Sequence, residues 1–213
     1  MKKILVIAPH ADDEVLGLGG YLLHESCKGS TIRIVYAAIG GKDRMQDAEI
    51  RLSEVSGVCK RLRASYQYLF IGKDAELDTV PSRDIVSKID NIIDDYRPDE
   101  VFINCTSHHQ DHKKLYECAM ASMRQREGYV PKMVALYEYP CLEPGERIDG
   151  GRWYHDITDI IDKKCDLMSM YKSQIRKAPS PINEDGICSL ASIRGRECGS
   201  NYAELFYIQK MKS

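Results

Sequence analysis

Residues 3–14, Lys3-Ile4-Leu5-Val6-Ile7-Ala8-Pro9-His10-Ala11-Asp12-Asp13-Glu14, decide how this chain is read. A short apolar run, Ile4 to Ile7, closes on a proline and gives way to a histidine and three acids. An apolar run of that length bounded by a turn residue reads as a buried strand. Acids directly after it suit the first turn of a helix, where the backbone dipole favours negative charge. His10, Asp12 and Asp13 therefore crowd the carboxyl end of the first strand. A second polar cluster, His108-His109-Gln110-Asp111-His112, follows the apolar stretch at 100–105. The two clusters meet in space if both strands belong to one parallel sheet, because such sheets bind ligands beyond the carboxyl ends of their strands.

The rest of the chain supports that sheet. Strands are expected at 3–8, 31–38, 66–71, 100–105 and 133–139, all short and rich in β-branched or aromatic residues. Helical periodicity fills the gaps at 14–28, 46–63, 81–96 and 112–125, the third repeating Ile85, Ile89, Ile92 and Ile93. This alternation predicts an α/β fold: a Rossmann-like doubly wound, mostly parallel sheet with helices on both faces. Residues 140–155 read as a long loop, 158–175 as a further amphipathic helix, and 176–200 as irregular. Tyr202 to Met211 fits helix or strand. The whole of 1–213 is expected to be a single domain.

With 213 residues and a net charge of −2, nothing global calls for nucleic acid or an anionic membrane as partner. No apolar stretch approaches the roughly 18 residues of a membrane helix. The start imitates a signal peptide, but its apolar run is too short and meets His10 and three acids, so a cytoplasmic location is expected. Eight cysteines without a CxxC spacing are expected to be reduced and mostly buried. The oligomeric state is left open by the sequence, a homo-oligomer included.

A catalytic zinc takes three protein ligands and keeps a fourth position for water. His10, one Asp of the pair, and His112 supply a His₂Asp set. Neighbouring Asp residues point in different directions, so one can bind metal while the other faces the open position as a base. Helix capping by Asp12 and Asp13 is the bland alternative, and it leaves His10 unexplained. In the second cluster, Asp111 can orient His109, whose imidazolium would protonate a leaving amine or steady an oxyanion. The bland alternative there is a surface turn with Asp111 as helix cap, and His108 is set aside. Arg51 and Glu54 lie one helical turn apart, which suits a surface ion pair better than an Arg aimed at substrate. Trp153 and Tyr154 read as packed aromatics rather than a sugar platform.

In these motifs the chain resembles the PIG-L/LmbE family of metal-dependent N-deacetylases. Ala8-Pro9-His10-Ala11-Asp12-Asp13-Glu14 with Gly17, Gly19 and Gly20 matches the family's opening motif, and His109-Gln110-Asp111-His112 its second. Weaker matches are Arg51 with Glu54, Lys164 with Tyr171-Lys172-Ser173-Gln174, and Gly199 with Tyr202, Glu204 and Phe206. Ala11 and Gln110 depart from the family's prolines at spacer positions. The resemblance implies Zn²⁺ held by His10, Asp13 and His112, with Fe²⁺ or Mn²⁺ able to take the same ligands. It implies Asp12 as general base, His109 oriented by Asp111 as oxyanion stabiliser and acid, and Arg51 on substrate hydroxyls. The implied activity is removal of the acetyl group from an N-acetylglucosaminyl-type small molecule, with the loops at 40–48, 140–155 and 176–200 setting which one. Competing readings are an amidase acting on another amide such as a thiol conjugate, a non-haem iron oxygenase, which the sheet disfavours, and a non-catalytic sugar-binding homologue, which Asp12 disfavours.

Overall fold

The computed structural model describes residues 1–40, 45–125, 127–140 and 148–212. Among them, strands β1 (Lys3–Ala8), β2 (Thr31–Ile39), β3 (Ala64–Ile71), β4 (Glu100–Asn104), β5 (Met133–Tyr137), β6 (Gly151–Asp156) and β7 (Ala203–Met211) form one sheet. Its order is β3-β2-β1-β4-β5-β7-β6. The first five strands pair in parallel, while β7 runs antiparallel to both β5 and β6. Six α-helices accompany it among the described residues: α1 (Asp13–Cys27), α2 (Met45–Leu62), α3 (Ser82–Tyr96), α4 (Gln110–Ser122), α5 (Ile161–Ser169) and α6 (Glu184–Cys198).

Strand side chains alternate between the two faces of the sheet, so each strand feeds two cores. Ile4, Val6 and Ala8 of β1 and Phe102 of β4 face a core shared with α1, α2, α5 and α6. Leu5 and Ile7 of β1, with Val101 and Ile103 of β4, face the other, which α3 fills with Ile85, Ile89, Ile92 and Ile93 and α4 with Leu115, Cys118 and Ala119. The doubly wound reading is therefore the observed fold. The strand order reverses between β1 and β4, whose carboxyl ends open the crevice where such folds bind ligands.

The C-terminal part differs from the sequence expectation. Gly151–Asp156, inside the expected loop, is strand β6, while Tyr202 to Met211, read as helix or strand, contributes strand β7. Trp153 on β6 packs against Phe206 and Tyr21 at ring-centroid distances of 5.0 and 5.4 Å, the packed role expected of it. The helix expected at 158–175 is the shorter α5, and its tightened end frees the segment from Met170 onward. Helix α6 stands in the stretch read as irregular. Residues 41–44 and 141–147, within the loops expected to set specificity, lie outside the described residues, Cys141 with them.

Helix α1 is kinked at Leu18, where φ is −142° and ψ 22°. It presses closely on β5: a Cβ at Gly17 would fall 2.2 Å from the Tyr137 ring. The kink frees backbone groups that have no water to turn to, and a buried ion pair takes them up. Lys164 Nζ donates to Leu16 O at 2.9 Å and to Glu204 Oε1 at 2.7 Å. The two Glu204 oxygens accept the Gly20 and Tyr21 amides, each at 2.8 Å. A residue of α5 and a residue of β7 thus hold the helix that carries the first polar motif.

Candidate metal centre

The loop after β1 turns sharply. Asp12 takes a φ of +121° and a ψ of −32°, a conformation that L side chains rarely adopt. Its carbonyl accepts the Val15 and Leu16 amides at 2.9 Å and so starts α1. Its own amide donates to Glu14 Oε2 at 3.1 Å. The turn separates the two neighbouring carboxylates: Asp13 Oδ2 accepts the His10 amide at 3.0 Å and faces the histidines, while Asp12 lines the open cavity. After β4, the buried amide of Asn104 ties down the second loop by donating to Cys105 O and His112 O.

The topology brings the two clusters together. Asp13 Oδ2 lies 3.6 Å from His10 Nδ1 and 3.4 Å from His112 Nε2. One donor atom from each of these three residues falls within 4.8 Å of the others, the spacing a single ion needs. The donor set suits a divalent ion: two imidazoles, one carboxylate, and a second carboxylate behind them. That second carboxylate is Asp111, which accepts from His10 Nε2 at 2.9 Å and leaves Nδ1 free to ligate. Asp111 also accepts the Ala75 and Leu77 amides at 2.8 and 3.0 Å. His10, His109 and Asp111 also lie within ligating distance of one another, but with three hydrogen bonds already accepted Asp111 is better placed to support a ligand than to be one.

The protonation states fit an ion as well. Burial drives the His112 imidazolium down to about 4, so the ring is neutral and its lone pair available; its buried Nδ1 has no hydrogen-bond partner among the described residues. Burial raises the Asp13 carboxyl, but His112 and His10 outweigh it and keep Asp13 ionised. Burial works against a charged His10, yet Asp111 and Asp13 lift it to about 10, so a positive charge is held where an ion would sit. Asp12 is pushed upward by burial and by the neighbouring Asp13 and Glu14 carboxylates, the direction a general base needs.

Two expected pairings are replaced. The carboxylate of Asp111 bonds His10 and not His109; His109 is held through the Asp111 main-chain amide, which donates to its Nδ1 at 3.2 Å. Arg51 pairs not with Glu54 but with Asp74, which also stands 3.4 Å from His10 Nε2. Glu54 instead accepts from the amide and hydroxyl of Ser173. Arg51 does line the site, a cavity of about 360 Å³ that also holds His10, Asp12, Asp13, His109 and His112. His108 lines it too, as do Asp74, Ser107, Tyr139 and Gln174, none of which the sequence reading singled out for the site. Asp74 and Tyr139 follow the ends of β3 and β5, a position that marks candidates once the strand order is known.

The comparisons with known proteins agree with this geometry. A family model described as PIG-L, GlcNAc-PI de-N-acetylase, matches residues 5–123. A curated relative from Mycobacterium sp. (strain JLS), 1D-myo-inositol 2-acetamido-2-deoxy-alpha-D-glucopyranoside deacetylase, is 22% identical over 84% of this chain and 76% of its own. The N,N'-diacetylchitobiose deacetylase of Pyrococcus horikoshii superposes with a TM-score of 0.79 at 24% identity, covering 98% of this chain and 84% of that one. The 4-carboxy-2-hydroxymuconate hydratase of Pseudomonas putida superposes with a TM-score of 0.76 at 19% identity, over 100% and 98% of the two chains. At these identities the structural likeness shows the fold, which carries more than one kind of chemistry.

Proposed function

The chain belongs to the PIG-L family, and from that premise we propose that it is a zinc-dependent hydrolase that removes the acetyl group from an N-acetylated amino sugar. The observation that carries the reading is the division of labour between adjacent carboxylates: Asp13 with His10 and His112 around one point, Asp12 turned to the cavity beside it. A sugar-binding protein needs no such base. The mycobacterial and archaeal relatives, both named as deacetylases of N-acetylated sugars, support the substrate class.

In this reading His10, Asp13 and His112 hold Zn²⁺, or Fe²⁺ or Mn²⁺ in its place. The bound ion supplies Lewis acidity, polarising an amide carbonyl and acidifying water. Asp12, raised by its surroundings, takes the proton from the attacking water. His109 stands on the cavity wall with its ring 5.1 Å from that of His10, where it can donate to the developing oxyanion and then to the departing amine. Asp111 orients the ligand His10 and, through its amide, His109. Arg51, steadied by Asp74, meets substrate hydroxyls. Ligands and wall residues come from segments between His10 and Ile182, which supports 1–213 as one catalytic domain.

Acetate release from a panel of N-acetylglucosaminides tests the proposal, with zinc-loaded wild type beside Asp12→Asn. Release by wild type, with a loss of about 10²–10⁴ in Asp12→Asn at unchanged zinc content, is expected. The hydratase on the same fold makes silence from wild-type enzyme informative: it would remove the deacetylase reading.

A further inference from the structure

We propose that Glu14 is the positioning residue for Asp12, clamped for that task by the phenols of Tyr171 and Tyr36. The assignment builds on the reading of Asp12 as base, and its first readout is independent of that reading. Asp12 and Asp13 are adjacent yet have to face different ways, and the +121° φ of Asp12 is what turns them apart. A non-glycine residue stays in such a conformation only where its surroundings over-determine it. Both peptide groups that flank the Asp12 side chain are pinned: the carbonyl by the Val15 and Leu16 amides, and the amide by Glu14 Oε2 at 3.1 Å.

Glu14 cannot swing away. It is fully buried, and its other oxygen accepts from Tyr171 Oη at 2.5 Å. Tyr171 Oη in turn meets Tyr36 Oη at 3.2 Å, and Tyr36 Oη lies 3.9 Å from Cys59 Sγ. Asp12 is therefore referenced, through one carboxylate, to β2, to α2 and to the segment that follows α5. A buried carboxylate kept for stability alone is a poor choice, since an apolar side chain of similar volume serves packing as well or better. Neither is Glu14 needed to complement the helix dipole, because Asp13 already occupies the first turn. What remains is the one bond that only an acceptor at this place can make, to the Asp12 amide.

Glu14→Leu, Glu14→Gln and Tyr171→Phe test this in zinc-loaded protein. The first readout is hydrogen exchange of the Asp12 amide by NMR, which needs no substrate. Exchange should speed by an order of magnitude or more in Glu14→Leu and by less in Tyr171→Phe. Glu14→Gln, which keeps an acceptor oxygen, should return part of the protection. The second readout is turnover. With the base displaced, kcat should fall about 10–100-fold while KM moves little. Zinc stoichiometry and Tm should hold at wild-type values. Wild-type exchange and kcat in Glu14→Leu would overturn the assignment, as would a kcat loss in folded protein that appears only together with loss of zinc. If Glu14→Leu fails to fold, Tyr171→Phe decides by the same two readouts, and unchanged exchange there overturns it. If no N-acetyl sugar is turned over, the hydrolase reading falls while the exchange result still judges Glu14.

Discussion

Replacing Lys164 by Met should cost this protein more than any surface ion pair could. The Lys164 and Glu204 side chains are 4% and 2% exposed, so neither charge is screened by water. Met keeps the unbranched stem and removes the ammonium. That leaves the Glu204 carboxylate buried without its counter-charge, although still bonded by the Gly20 and Tyr21 amides. It also orphans the Leu16 carbonyl at the kink. Breaking a buried pair by removing one partner costs about 3–5 kcal/mol. Against a total of about 5–15 kcal/mol, that is about a fifth of the stability or more. At roughly 2–4 °C per kcal/mol for a chain of this size, Tm should fall by roughly 6–20 °C. Urea unfolding followed by circular dichroism measures the loss directly. Adding Glu204→Gln should recover part of it, because the amide keeps an acceptor for one of the helix N–H groups and carries no charge. A loss under about 1 kcal/mol for Lys164→Met would refute the staple, since that is the range of an exposed pair.

Three further outcomes are expected. Asp111→Asn should weaken zinc affinity about 10–100-fold in competition with a chromophoric chelator, because it loosens the grip on His10 Nε2; unchanged affinity would remove Asp111 as support. His112→Ala should abolish stoichiometric zinc by elemental analysis, and retention of one ion per chain would discard the ligand set. Alkylation of the native protein near pH 8 should reach the exposed Cys27 and Cys198 and spare Cys59, whose thiol is pushed up to about 12 by burial and by the Glu14 charge. Rapid modification of Cys59 would contradict the packing described for α2.

The parallel half of the sheet was legible because its signals are local. Each buried strand is a short apolar run, and each covering helix repeats its apolar residues at helical spacing. Both polar clusters stand directly behind such runs, so their meeting followed from the topology. The C-terminal part was harder to read for physical reasons. Helix α6 buries only Ile187, Ala191 and Gly195, so it has almost no apolar stripe. Its glycines imitate breakers, yet a Cβ at Gly186 would meet Pro181 O at 2.0 Å and one at Gly195 would meet Asn201 at 2.6 Å. They serve close packing, which leaves no trace in periodicity. Strand β6 is six residues of mixed exposure that begins on a glycine, and its pairing with β7 spans about fifty residues. In the site, the replacement of Glu54 by Asp74 as partner of Arg51 was invisible for a related reason. Residues one helical turn apart are neighbours by default, whereas Asp74 comes from the loop after the next strand, β3.

The position of β7 also bears on how the protein comes to life during synthesis. The strand is inserted between β5 and β6, and it delivers Glu204 to the helix that begins at Asp13. A nascent polypeptide can pair β1 through β5 while still being translated, yet no fragment ending before residue 203 carries the carboxylate that secures α1. The His10–Glu14 motif, made well before β7, is thus among the last to be locked. A truncated product would have a sheet and both polar clusters and still lack a rigid centre.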